Sequence, residues 1–184
     1  MNVFTFAPVE VDSAEFVRTW SARYDYRLDP NYEKFLKTPH SRESLQALFE
    51  WKNGSRLSKR KQSSIDQYYL SRVDALNALD PETPAERFLT IFGGGAIWRI
   101  FLLHCWAPLR YPIYDQHVHR AMTFMKSRVP TEIPLHRPKV IRCYLEEYLP
   151  FHRGFHGNDQ RDVDRALWAF GKFLKRLKPI ERER

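Results

Sequence analysis

Apolar residues along this chain recur at three- and four-residue spacing, and no stretch alternates at period two over a useful length, so the pattern predicts an all-α protein. A first segment opens at Asp12, with Glu15 as its capping-box partner, and carries Phe16, Val17 and Trp20. Asp29-Pro30 supplies a cap and a proline at the first helical position for a short face of Tyr32, Phe35 and Leu36, which Thr38-Pro39 stops. Ser41 to Lys52 puts Leu45, Leu48 and Phe49 on one side and is closed by Asn53-Gly54. Ser64 with Gln67 opens the next helix, whose face of Ile65, Tyr68, Tyr69, Val73, Leu76 and Leu79 runs to Asp80-Pro81. Thr83-Pro84-Ala85-Glu86 starts a short helix with Phe88, Leu89 and Phe92, and a second one, Ala96 to Trp106, is apolar almost all round and so predicted to be buried. Val118, Ala121, Met122 and Met125 continue the helical period after Asp115. Pro138 starts a further helix carrying Val140, Ile141, Tyr144, Leu145 and Tyr148, ended by Pro150, and Phe151 to Asn158 reads as an irregular loop rich in His and Gly. The last helix spans Asp159 to Leu177, with Val163, Ala166, Leu167, Phe170, Leu174 and Leu177 on one stripe and Lys172, Lys175, Arg176 and Lys178 towards its end, where cations suit the dipole.

Two pieces of this pattern carry chemistry. Between two helical segments stand Gly93-Gly94-Gly95 and Ala96, a place where the backbone must turn sharply or approach something closely. Main-chain N–H groups bared at the start of a helix form a seat for a phosphate, because dipole and unpaired donors both favour an anion. The second piece is Pro112-Ile113-Tyr114-Asp115-Gln116-His117-Val118-His119-Arg120, whose Asp115 lies 22 positions after Gly93, room for one helix of about three turns and a loop. Asp115 is thereby placed at the opening of the next helix.

Glycine hairpin, interval and Asp-containing loop together resemble the helix-hairpin-helix DNA glycosylases of base-excision repair over about 40 residues. The second piece alone looks closest to the adenine-glycosylase branch. The resemblance implies two intimately joined helical lobes within one unit spanning 1–184: approximately 41–126 carrying the hairpin and Asp115, and 1–40 plus 127–184 forming the other. It implies duplex DNA with a flipped base as partner, Asp115 as the catalytic carboxylate, and a monovalent cation at the hairpin. Members that also cleave the strand use a lysine two positions after the last hairpin glycine, and Ile97 stands there, so no lyase activity is expected. Gly94 at a usually apolar position, and Arg99 where a small residue is usual, point to a looser hairpin.

A net charge of +8 and a pI near 9.6 in 184 residues agree with a polyanionic partner. Lys59, Arg60 and Lys61, in a stretch from Trp51 to Ile65 without an acid, are either a solvated loop or phosphate contacts. Cys105 and Cys143 are the only cysteines, so this chain cannot supply the four-cysteine iron–sulfur cluster that some members carry. No cofactor is expected beyond that cation, and no metal site: His117 and His119 point to different sides of a helix. With no apolar run of spanning length and no signal-like start, no membrane partner is expected, and a monomer in the cytoplasm, nucleoid-associated if it binds DNA, is the expectation.

Breaking the bond between a base and deoxyribose builds positive charge on the sugar, which an ionised carboxylate stabilises while orienting or deprotonating water. Asp115 fits that role, although Asp before a helix is most often an N-cap and the two roles are compatible. Trp51, Trp98, Tyr111 and Tyr114 are candidates to stack on the extruded base, with core packing as the competing role. Arg120 contacts phosphate or ties the Asp115 loop. His104, on a buried helix, reads as a hydrogen-bonded core residue. A monofunctional DNA N-glycosylase is the leading expectation. The alternatives are a non-catalytic DNA-binding helix-hairpin-helix protein and a basic helical interaction protein.

Overall fold

Side-chain caps set several of the helix starts. In the computed structural model, which describes residues 10–176, α1 (Ser13–Ser21) begins where the Asp12 carboxylate accepts from Glu15 N–H at 2.8 Å. A reciprocal Ser41/Ser44 capping box opens α3 (Arg42–Asn53), and Gly54, at φ 72°, closes it in the left-handed conformation that glycine adopts without strain. Between them α2 (Asp29–Phe35) departs from the reading of Asp29 as a simple cap. Asp29 lies inside the helix, 3% exposed, and accepts from Tyr24 Oη, Arg161 and Arg165, so it ties α2 to the far end of the chain.

The helix expected from Ser64 starts six residues earlier. Ser58 caps α4 (Lys59–Tyr68), so Lys59, Arg60 and Lys61 form a helical first turn and not a loop. A cap followed by cations instead of an acid hides this start, since the dipole favours acids there. Nor does one helix continue to Asp80: the chain breaks at Tyr69, makes a 3₁₀ turn at Leu70–Arg72 and resumes as α5 (Val73–Asn77). Both Tyr68 and Tyr69 point towards the glycine turn, which a regular helix cannot arrange for consecutive residues.

α6 (Ala85–Ile91) begins one residue later than predicted, with Pro84 as its cap and Thr83 buried. α7 (Ala96–Trp106) has its predicted bounds and lies in the core, with Ile100, Phe101, Leu102 and Leu103 at 0% exposure. α8 (Gln116–Ser127) starts at Asp115, as predicted. α9 (Arg137–Arg142) runs into a π-helical stretch, Cys143–Tyr148, and on into α10 (Leu149–Arg153) past Pro150, which does not end it. Leu149 N–H reaches back five residues to Tyr144 O, and the widened turn accommodates the missing proline donor. α11 (Gln160–Arg176) carries the apolar stripe expected of it; Leu177 and Lys178 lie outside the described residues.

α1 and α8 both pack on α11, and α2 packs on α3. The buried residues form a continuous apolar cluster from Phe16 through α3 and α7 to Leu167. No strand occurs among the described residues, and no helix among them is long and apolar enough to cross a membrane.

Candidate functional site

Around the glycine turn the chain is braced from three sides. Gly94 has φ 88°, and a Cβ there would stand 2.5 Å from Tyr69 Oη; one at Gly93 would stand 2.9 Å from Tyr68 Cδ1. These two glycines therefore face the tyrosine pair beneath them and do not line the cleft described below. Arg99 donates to Leu89 O and Arg72 to Ile91 O, each at 2.7 Å, capping the last carbonyls of α6. Where a loose turn was expected from Arg99, its guanidinium instead braces the glycine turn by meeting carbonyls that the end of α6 leaves unpaired. At the start of α7 no side chain caps the free N–H groups. Gly95, Ala96, Ile97 and Trp98 line a cleft of about 930 Å³.

Asp115 faces the same cleft. Its Oδ1 accepts from the N–H groups of His117 and Val118 at 2.8 and 3.2 Å, and its Oδ2 accepts from Lys52 Nζ at 3.0 Å. The carboxylate side chain is 17% exposed and the lysine 7%. Burial pushes the Asp115 carboxyl up, but the Lys52 ammonium, His117 and the helix N–H groups outweigh it and hold the group below its ordinary range. Lys52 also sits over the Phe101 ring, 5.7 Å from its centre. Asp115 therefore caps α8 through Oδ1, while Oδ2, paired with Lys52, belongs to the cleft lining.

The loop before Asp115 is pinned by phenols. Tyr144 Oη donates to Pro112 O at 3.2 Å and Tyr148 Oη to Ile113 O at 3.1 Å, both from the π-helical stretch. From the other side α11 presses on α8: a Cβ at Gly171 would lie 1.9 Å from His117 O, so only glycine permits this approach.

Not every sequence candidate reaches the cleft. Trp51 and Trp98 line it. Tyr111 and Tyr114 do not, which corrects their place in a base pocket: Tyr114 is 0% exposed, its hydroxyl 2.8 Å from His119 Nδ1 and 3.3 Å from Cys143 Sγ. Tyr111 packs under Trp106 and borders a separate polar cavity. Arg120 is 4% exposed and makes a two-pronged pair with Glu132 at 2.8 and 2.7 Å, so it ties the α8 start to a cleft-lining segment and is not open to phosphate. Lys59, Arg60 and Lys61 are exposed and do not line the cleft, although Lys61 donates to Asn53, a lining residue. His104 is a hydrogen-bonded core residue, with Nδ1 2.7 Å from Tyr111 O and Nε2 2.6 Å from Tyr32 Oη. Among the described residues no group of three His, Cys, Asp or Glu is placed to hold a metal ion, and Cys105 and Cys143 are buried and free.

Sequence reasoning read Lys52 only as one of the basic residues between Trp51 and Ile65, and among the other cleft residues it gave no site role to Arg161, Asp164 and Trp168. The last three stand on α11 at spacings of three and four, one face of a helix, but they lie beside the apolar stripe and read as its polar flank. Arg161 lies across Tyr32, 4.2 Å from guanidinium carbon to ring centre, and Trp168 packs against His117 at 5.2 Å. Comparison of the chain with protein-family models, with curated proteins and with solved structures finds no match.

Proposed function

We propose that the cleft is the site of a monofunctional hydrolase that removes a base from DNA, in which Asp115 stabilises the developing sugar cation and activates water. The observation that carries this reading is that one cleft is lined both by a largely buried carboxylate paired with Lys52 and by an uncapped helix start. The N-terminus of α7 holds a backbone phosphate through main-chain N–H groups. Asp115 Oδ2 then stands beside C1′, and negative charge there lowers the barrier as the base leaves. Trp51, Trp98 and Trp168 supply ring faces for an extruded base. Three cations in the first turn of α4 oppose its dipole, an arrangement that a bound polyanion would offset.

A panel of duplexes bearing different modified bases, treated with alkali to reveal abasic sites, tests the reading. Excision of at least one base is expected, and Asp115→Asn should lower it at least a hundredfold with DNA affinity retained, since Asn still caps α8. Undiminished release by that variant removes Asp115 from the chemistry. Borohydride should leave no protein–DNA adduct; one formed on Lys52 would show instead that this amine attacks the sugar.

A further inference from the structure

Six buried side-chain nitrogen or oxygen atoms lack a hydrogen-bond partner among the described residues, and three of them belong to residues lining the one cleft: Trp51 Nε1, Arg161 Nε and Asp164 Oδ1. Buried polar atoms are paired in the great majority of cases, so three orphans among the residues lining one cleft require a cause. Each is withdrawn from water, and each would recover a hydrogen bond from a ligand. Two are donors and the third is an acceptor.

The three are also tied to Asp115. Trp51 directly precedes Lys52, whose ammonium reaches the Asp115 carboxylate. Asp164 Oδ2 lies 3.5 Å from Ile113 N–H, two residues before Asp115. Tyr24 and Trp168 add aromatic walls, their ring centres 5.2 Å apart, and the Arg161 guanidinium carbon is 5.5 Å from the Trp51 ring centre. The other Arg161 bond goes to Asp29, which holds the side chain in place and leaves Nε over. Asp164 Oδ1 meets His152 Nε2 at 3.3 Å, outside hydrogen-bonding geometry, so a ligand N–H would be its good partner.

We propose that Trp51, Arg161 and Asp164 form a base-reading subsite that selects a nucleobase presenting a carbonyl oxygen next to a ring N–H. The inference rests on the reading that this cleft receives a base. A carbonyl oxygen has two lone pairs and so can meet both the indole and the guanidinium N–H, whereas a ring nitrogen has one. The neighbouring ring N–H then donates to Asp164 Oδ1. Bases with an amino group beside a ring nitrogen satisfy only one of the two donors, and a methyl group on the ring nitrogen puts carbon against a buried carboxylate.

Tryptophan fluorescence titrations with free bases test this without requiring catalysis. 1-Methyluracil and 9-methylhypoxanthine, whose glycosidic nitrogen is blocked as in DNA, should quench saturably, while 1,3-dimethyluracil, 1,9-dimethylhypoxanthine and 1-methylcytosine bind at least about tenfold more weakly, the cost of one buried carboxylate left unpaired. Asp164→Leu, which removes the acceptor that an Asn would keep, should erase the preference between 1-methyluracil and 1,3-dimethyluracil. Equal quenching by compounds with and without the ring N–H, no saturable quenching by any base, or a preference that survives Asp164→Leu overturns the subsite. The wild-type comparison stands by itself if that variant does not fold. An intact preference together with no abasic product from any duplex supports the subsite and overturns the hydrolase reading alone.

Discussion

A carboxylate buried to this degree would ordinarily take up a proton before it gave up its hydration, and Asp115 does not because Lys52 stands 3.0 Å away. Lys52 is therefore a positioning residue for charge, and its removal has a signature distinct from damage to the fold. Lys52→Met leaves burial unopposed by the nearest cation, so the Asp115 carboxyl rises. The wild-type group is ionised down to pH values below the ordinary carboxylate range, and the variant needs a higher pH to ionise. The acid limb of excision should accordingly move to higher pH in Lys52→Met. A pH–rate profile of both proteins checks it; equal loss at every pH with the limb unmoved would mean that Lys52 merely packs. The place of Asp115 at the start of α8 was legible in sequence, from a proline-bounded loop ahead of an apolar helical face. Lys52 was not, because the pairing joins residues 63 positions apart on helices whose meeting only the folded chain reveals.

Helices were readable where a side chain or a glycine marks their ends, as at Asp12, Ser41, Gly54 and Asp115. They were misread where tertiary packing overrides local preference: the break at Tyr69, which puts two rings under the glycines, and the π-helical stretch that carries the helix past Pro150. Gly171 belongs with these, an ordinary helix-interior glycine by sequence that the fold turns into the contact between α11 and the first turn of α8. Its absent Cβ faces backbone, which cannot swing aside as a flexible side chain does. Gly171→Ala must separate the two helices, and a cost of about 1 to 3 kcal/mol is expected despite the better helix propensity of alanine. His117 N–H holds Asp115 Oδ1, so excision should fall along with the melting temperature. A variant as stable as wild type, read by thermal unfolding, would show that α11 does not bear on the α8 start.

Across the whole molecule, basic composition suggests a polyanionic partner, and of the three cations that open α4 Lys61 meets Asn53, which lines the same cleft as Asp115 and the start of α7. The interior obeys a different rule. Burial lowers the proton affinity of His40, His104, His117 and His119, and desolvation of the enclosed His104 ring brings it down to about 4, against the opposing pull of the Asp164 charge and of the hydrogen bond to Tyr111 O. An unfolded histidine binds its proton near pH 6.5, so between there and about pH 4 the unfolded chain holds more protons than the folded one. Stability must then fall as pH drops through that window, with His104 alone contributing on the order of 3 kcal/mol. The Asp115 carboxyl, held low in the folded state, adds to the loss at the acid end. Denaturant unfolding at pH 7.5, 5.5 and 4.5 should show a monotonic decline. In His104→Gln, where the amide can replace both hydrogen bonds but not the titration, the decline should be shallower. A profile flat from pH 7.5 to 4.5 would mean that these rings are hydrated and charged, and that the core around α7 is not closed.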